Sequence, residues 1–367
     1  MTTADVLDLP AGTSPDPEEF LRAAMRWHFD RETGSPFWLR RAASLDFDPR
    51  LDVKSHDDLA LFPNVVAELR DVPVADLIPR GYGAGAVPPP DVVGIFESGG
   101  TTGAPKRVVC LADWLDRLVD WCDTSLDAHG FPRGAQWLGV TPSGPHIVGR
   151  LFERSARSHG RFGFTVDLDP RWVRKLIAAG RHAEADDYAE HVVDQVHLVL
   201  ATQDVEVLTI TPALLERLAR RDDLVALVNE KIRAIRWGGT QMDPDTAEIY
   251  RGEVFPDAVL YGHYGSTMVL GIAVQRPGDT GGECVFDPFA PYNTFGVVDP
   301  GTGRPVPFGS RGQVVMHHVS RSMLLPNNLE RDLATRVPPP PGGVGDAVAD
   351  IAPVATFESE RVIEGVY

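Results

Sequence analysis

The stretch Val92-Val93-Gly94-Ile95-Phe96-Glu97-Ser98-Gly99-Gly100-Thr101-Thr102-Gly103-Ala104-Pro105-Lys106 decides the fold of this chain. Its first five residues are an apolar run directly behind Pro88, Pro89 and Pro90, and they are expected to form a buried strand. The nine residues from Ser98 have every component of a phosphate cradle. Glycines let consecutive backbone N–H groups converge on one point, the hydroxyls of Ser98, Thr101 and Thr102 add donors, and Lys106 supplies a point charge. The Walker pattern is disfavoured, because no glycine directly precedes Lys106 and Arg107 follows it in place of Ser or Thr. The plainer alternative is a Gly/Thr turn joining a strand to a helix.

C-terminal to this loop, short β-rich runs alternate with amphipathic segments. Leu115, Leu118, Val119 and Cys122 predict a helix, Trp137 to Val140 a strand, and Val192 to Leu200 the buried stretch of a helix. The alternation continues with the strand Val205 to Ile210, a helix opening at Pro212, the strand Ile232 to Trp237, a helix from Asp243 and the strand Val259 to Tyr261. Such alternation predicts an α/β fold with largely parallel sheet. After about residue 265 helices become scarce, and runs such as Phe295 to Val298 and Gln313 to Met316 predict a smaller β-rich lobe. The expected division is therefore 1–265 for the α/β body, with the phosphate loop at 98–106, and 266–367 for the lobe. Pro338 to Pro341 with Gly342 and Gly343 should form a surface loop. On the N-terminal side, Phe20, Leu21, Ala24, Met25 and Trp27 recur at the spacing of one buried helix face behind Pro17.

The net charge of -17 is spread along the 367 residues, so a nucleic-acid backbone is repelled on average. Three cysteines, Cys110, Cys122 and Cys284, without CxxC or Cys/His spacing argue against a disulfide framework and a zinc site, and fit a reduced, cytoplasmic setting. The N-terminus has no basic segment followed by an apolar one, and no apolar run is long enough to span a bilayer.

The nine residues from Ser98 to Lys106 match the signature loop of the adenylate-forming superfamily: acyl-CoA synthetases, peptide-synthetase adenylation domains and luciferases. The resemblance implies the large N-terminal domain of that fold. It also implies ATP as cosubstrate with AMP as product, Mg²⁺, and a carboxylate that attacks the α-phosphorus to give acyl-AMP and pyrophosphate. Lys106, Thr101 and Thr267 then take the catalytic roles, while Ser98, Gly99, Gly100, Thr101, Thr102, Gly103 and Lys106 hold phosphate. Further motifs follow in family order. Thr141 to His146 resembles a strand end leading to a residue beside the acyl pocket, which places His146, Gly239 and Tyr264 against the substrate. A loop histidine satisfied by its own hydrogen bonds is the competing account of His146.

Trp237-Gly238-Gly239-Thr240 resembles the adenine-binding turn, and Tyr264-Gly265-Ser266-Thr267 the motif whose aromatic ring stacks on adenine and whose threonine binds the α-phosphate. The family follows that threonine with a glutamate that binds Mg²⁺; here Met268 stands instead and offers no hard oxygen. Gly345-Asp346 resembles the step whose carboxylate accepts from the ribose hydroxyls, and Arg361 the hinge-proximal arginine. The family continues into a C-terminal lid carrying a lysine. Of the four lysines here, Lys54, Lys106, Lys175 and Lys231, none lies beyond the β-rich lobe, so a chain without the lid is expected.

Trp27-His28-Phe29, Thr33 to Trp38 and Val362 to Tyr367 are similar to atypical adenylating proteins of phenazine antibiotic biosynthesis, which implies an aromatic, phenazine-type acid. The expected partners are that acid and a reductase or acyl-acceptor protein, a homodimer being compatible, with no nucleic acid and no membrane. A degenerate module that binds nucleotide or aryl acid without efficient chemistry stays open as the alternative.

Overall fold

The computed structural model describes residues 6–10, 13, 15–83, 91–98, 104–278 and 284–354 in full, and of 356–357 and 360–361 the backbone alone. Helix α1 (Pro17–His28) begins as its sequence dictates: Asp16 caps it by accepting from the Glu19 N–H at 2.9 Å, and Pro17 sits at the first turn. The face carrying Phe20, Leu21, Ala24, Met25 and Trp27 is buried. After short 3₁₀ turns come strands β1 (Val92–Glu97) and β2 (Arg107–Leu111), then helix α2 (Ala112–Ala128), β3 (Gln136–Val140), α3 (Ile147–Ser158), β4 (Phe162–Val166), α4 (Pro170–Ala178) and α5 (His182–Thr202). There follow β5 (Val207–Ile210), α6 (Pro212–Ala219), α7 (Asp222–Lys231), β6 (Ala234–Trp237), α8 (Pro244–Ile249) and β7 (Val259–Ser266). The remainder is strand: β8 (Gly271–Gln275), β9 (Phe286–Pro288), β10 (Asn293–Val298), β11 (Arg311–Val319), β12 (Leu324–Val337) and β13 (Ala347–Pro353).

Two compact units result. The first comprises 1–121, 265–272 and 287–348, the second 122–264, 273–286 and 349–367. The compositional change near 265 coincides with one junction between them, and the first 121 residues group with the β-rich segments. In the second unit β4, β3, β5, β6 and β7 run side by side and all parallel, with helices in each connection. Every residue of β5 and β6 is buried, as strands covered on both faces must be. In the first unit β10, β11 and β12 form an antiparallel run. The fold is thus α/β with a mixed, parallel-rich sheet flanked by helices, as the alternation implies. Cys110, Cys122 and Cys284 are buried and form no disulfide among the described residues, and no described helix is long and apolar enough to cross a membrane.

One expectation needs correcting. Val92 to Phe96 is a strand but not a buried one: only Phe96 is enclosed, while Ile95 is 42% exposed. The run belongs to a two-stranded antiparallel hairpin, with Ile95 opposite Val109 and Glu97 opposite Arg107. Ile95, Glu97 and Arg107 border an open groove of about 570 Å³ with residues 70–74. An apolar run has the same appearance whether its second face is covered or left beside a groove, which is why the sequence misleads here.

The first unit also buries His28, His317 and His318. Burial lowers their pKa values from 6.5 to about 4 for His28 and about 3 for the other two. The unfolded chain takes up these protons near pH 6.5 and the native state does not. Stability should therefore fall as pH drops below about 6.5, continuing to about 4 for His28 and about 3 for the others, by up to about 1.4 kcal/mol per pH unit for each histidine. Glu330 and Asp346, raised by burial, oppose part of this loss. The urea midpoint should be lower at pH 5 than at pH 7.5, and His28→Gln should shrink the difference; a flat profile would refute it.

Candidate nucleotide and carboxylate site

The phosphate-loop sequence is the tip of the β1–β2 hairpin, so it joins strand to strand, not strand to helix. The Ser98 N–H donates to the Lys106 carbonyl at 3.1 Å, and below that bond Arg107 and Glu97 form an ion pair at 2.9 Å, so both ends of the loop are anchored. Ser98 and Lys106 are half-buried. Gly99, Gly100, Thr101, Thr102 and Gly103 lie outside the described residues.

Thr267 begins the turn that leaves β7. The Leu270 N–H closes this turn on the Thr267 carbonyl at 3.2 Å, and Leu270 adopts a φ of 45°, a left-handed conformation that a bulky residue rarely takes. Three side chains hold the turn in that state. Trp114 donates its indole N–H to the Leu270 carbonyl at 2.8 Å, while His318 Nδ1 and Asn293 Nδ2 bond the Val269 carbonyl at 2.6 and 3.2 Å. Gly265 must be glycine, since a Cβ there would lie 2.3 Å from the Gly271 carbonyl oxygen and 2.8 Å from the Ile272 Cα. Met268 is buried and donates its N–H to Ser266 Oγ at 3.3 Å.

Asp346 directly precedes β13 and is not exposed. It is 4% exposed, and its Oδ2 accepts from Arg336 Nε at 2.8 Å and from the Val297 N–H at 3.1 Å. Burial raises its pKa and the guanidinium opposes that rise. No hydrogen bond to its other oxygen is found among the described residues. Glu330 is a carboxylate that sequence reasoning missed. Burial raises its pKa first and the neighbouring Asp332 charge second, while hydrogen bonds from Ser266 and from Asn328, whose Nδ2 is 2.6 Å from Oε1, act the other way. Among the described residues no three His, Cys, Asp or Glu side chains cluster as metal ligands. With Met268 lacking a hard oxygen, the described side chains do not fit a dedicated Mg²⁺ site.

In the second unit, Gly238, Gly239 and Thr240 follow β6 directly, and Gly239 takes a φ of 90°. Gly238 is pressed against the His263 ring, 2.4 Å from where a Cβ would stand. Tyr264 packs on Phe286 at a centroid distance of 6.4 Å and 55° between planes. His146 caps the N-terminus of α3 in extended backbone conformation, without a side-chain capping bond. The backbone of Arg361 lies in a short two-residue strand and its side chain is outside the described residues.

Sequence reasoning also missed a group on and just beyond β5, β6 and β7: Thr209, Thr211, Arg236 and His263 are all buried, and among the described residues Thr209 Oγ1, Thr211 Oγ1, Arg236 Nε and His263 Nδ1 have no hydrogen-bond partner. The signal was present, because an arginine inside the apolar strand Ala234–Trp237 is out of place unless something pairs with it.

Comparisons with known proteins come from two directions. A family model described as AMP-binding enzyme matches residues 183–323, which contain both the 237–240 and 264–267 turns. The structure of 2-hydroxyisobutyryl-CoA ligase in complex with 2-HIB-AMP and CoA, in its thioesterification state, superposes with a TM-score of 0.64 at 16% identity, covering 94% of this chain and 68% of the ligase. The same ligase in the postadenylation state with R3-HIB-AMP gives 0.65 at 15% identity, covering 98% and 73%. At such identities the likeness is one of fold. No protein of curated function matches the sequence significantly.

Proposed function

We propose that this chain adenylates a carboxylic acid at the expense of ATP, releasing pyrophosphate. The observation that carries this reading is that the AMP-binding family match spans the Trp237–Thr240 and Tyr264–Thr267 turns, in a fold shared with a ligase solved with an acyl-AMP. In this reading a carboxylate oxygen attacks the α-phosphorus, an O–P bond forms, and the bond to the pyrophosphate oxygen breaks. Lys106 with Ser98 and residues 99–103 holds the departing phosphates, and the Thr267 hydroxyl donates to the α-phosphate as charge builds there. Tyr264 and the 238–240 turn take adenine, and the Oδ1 of Asp346, free of its ties to Arg336 and Val297, accepts from the ribose. Met268 offers no hard oxygen to Mg²⁺.

The acid is an aromatic, phenazine-type carboxylate bordered by His146, and the acyl-AMP passes to a reductase or acyl acceptor in the cytoplasm. Arg361 and a homodimer belong to the same proposal. The test is carboxylate-dependent exchange of labelled pyrophosphate into ATP across aryl, phenazine and aliphatic acids. Exchange with an aryl acid is expected. A second reading, a nucleotide-binding module without turnover, is favoured by Met268 alone; calorimetric ATP binding without exchange for any acid would select it.

A further inference from the structure

Strands β5, β6 and β7 of the second unit lie parallel and in register, Thr209 beside Arg236 and Arg236 beside Tyr261. Alternation along a strand then puts Thr211, Gly238 and His263, each two residues on, over the same face. These rows sit at the C-terminal ends of parallel strands, where ligands of open α/β sheets bind. Arg236 is 2% exposed, and no hydrogen bond or ion pair from its guanidinium is found among the described residues. A buried cation in that state is strongly unfavourable unless an anion joins it.

The described neighbours on which Arg236 acts electrostatically do not supply that anion. Burial pushes the Cys122 thiol up to about 12 and holds the Tyr261 phenol protonated, and the phenol is committed to Ser125 at 3.0 Å. Burial first, and Arg236 second, keep His263 neutral. The hydroxyls are available in an unusual way. Thr211 stands at the N-cap of α6, where a threonine ordinarily accepts from the helix's first N–H groups, yet it makes no such bond. The N-terminal end of α6 adds a partial positive charge.

We propose that Arg236, Thr209 and Thr211 form a subsite for a carboxylate, and that the acid this protein activates carries a second ionised group which the subsite holds. The proposal rests on the adenylation reading and names its substrate class. A planar guanidinium flanked by two hydroxyl donors matches the planar oxygens of a carboxylate. The group held is not the reacting one. A carboxylate that becomes an acyl phosphate surrenders its charge, so pairing it with Arg236 would favour substrate over transition state and leave the cation uncompensated in the product. A second carboxylate keeps the compensation throughout.

The experiment titrates benzoate, the three benzenedicarboxylates and inorganic phosphate into wild type, Arg236→Met and Thr209→Val by calorimetry, alongside pyrophosphate exchange. At least one diacid should bind wild type tenfold or more tighter than benzoate. Arg236→Met should erase that margin and leave benzoate within twofold, and Thr209→Val should cut it several-fold. Without ligand, Arg236→Met should unfold at the same or a higher temperature, because it removes an uncompensated charge. The subsite is overturned by a wild type without the margin, by a margin that survives Arg236→Met, by Arg236-dependent binding of phosphate but of no diacid, or by a lowered unfolding temperature. Failure of the adenylation reading is distinguishable: it appears as Arg236-dependent diacid binding with no exchange for any acid.

Discussion

Replacing Lys106 by alanine should lower pyrophosphate exchange by about two to three orders of magnitude, the effect of removing one group aimed at developing charge. Local structure holds Lys106 at one end of the hairpin loop. Its carbonyl accepts the Ser98 N–H and its neighbour Arg107 is tied to Glu97, so the loop's last residue is held at a fixed point of the hairpin. Of the other lysines, Lys231 donates to the Leu200 and Gln203 carbonyls, and Lys175 lies over the Trp172 ring. Because Lys106 is half-buried at a hairpin tip, the variant should keep the wild-type urea midpoint within about 0.5 kcal/mol. Steady-state exchange and urea unfolding on the same preparations check both halves. Wild-type exchange in Lys106→Ala would remove the phosphate-loop assignment.

The second large effect belongs to Gly265. A methyl group there would stand 2.3 Å from a backbone oxygen, that of Gly271, which cannot retreat cheaply. The space beside Gly271 is itself filled by Asn293, and the preceding carbonyls are held by Trp114, His318 and Asn293. Gly265→Ala should therefore destabilise the protein by about 3 kcal/mol, the upper end for overpacking against a rigid neighbour. Exchange should fall with it, because Thr267 is two residues further along the same clamped turn. The urea midpoint reports the first and exchange below the transition the second. A midpoint equal to wild type would mean that the turn gives way and does not position Thr267.

Arg236 shows how a local rule points to a site once tertiary pairing is known. In isolation it is one polar residue in a short strand, which a surface edge would tolerate. Flanked in register by Thr209 and Tyr261 and fully covered, it becomes a charge that asks for a partner. Asp346 carries the converse lesson, since its Gly-Asp step reads as a loop carboxylate while the fold buries it and binds one oxygen to Arg336.

By itself the sequence determined the strand and helix alternation, the parallel character of β3, β5, β6 and β7, and the start of α1 behind Pro17. These depend on periodicity, capping and side-chain type, which act over a few neighbouring residues. Only the tertiary structure decided that Val92 to Phe96 is an exposed hairpin strand, that Leu270 is strained and clamped, and that the buried Arg236 Nε has no hydrogen-bond partner among the described residues. Burial, pairing and hydrogen-bond satisfaction are relations between residues far apart in the chain, so no window of sequence contains them.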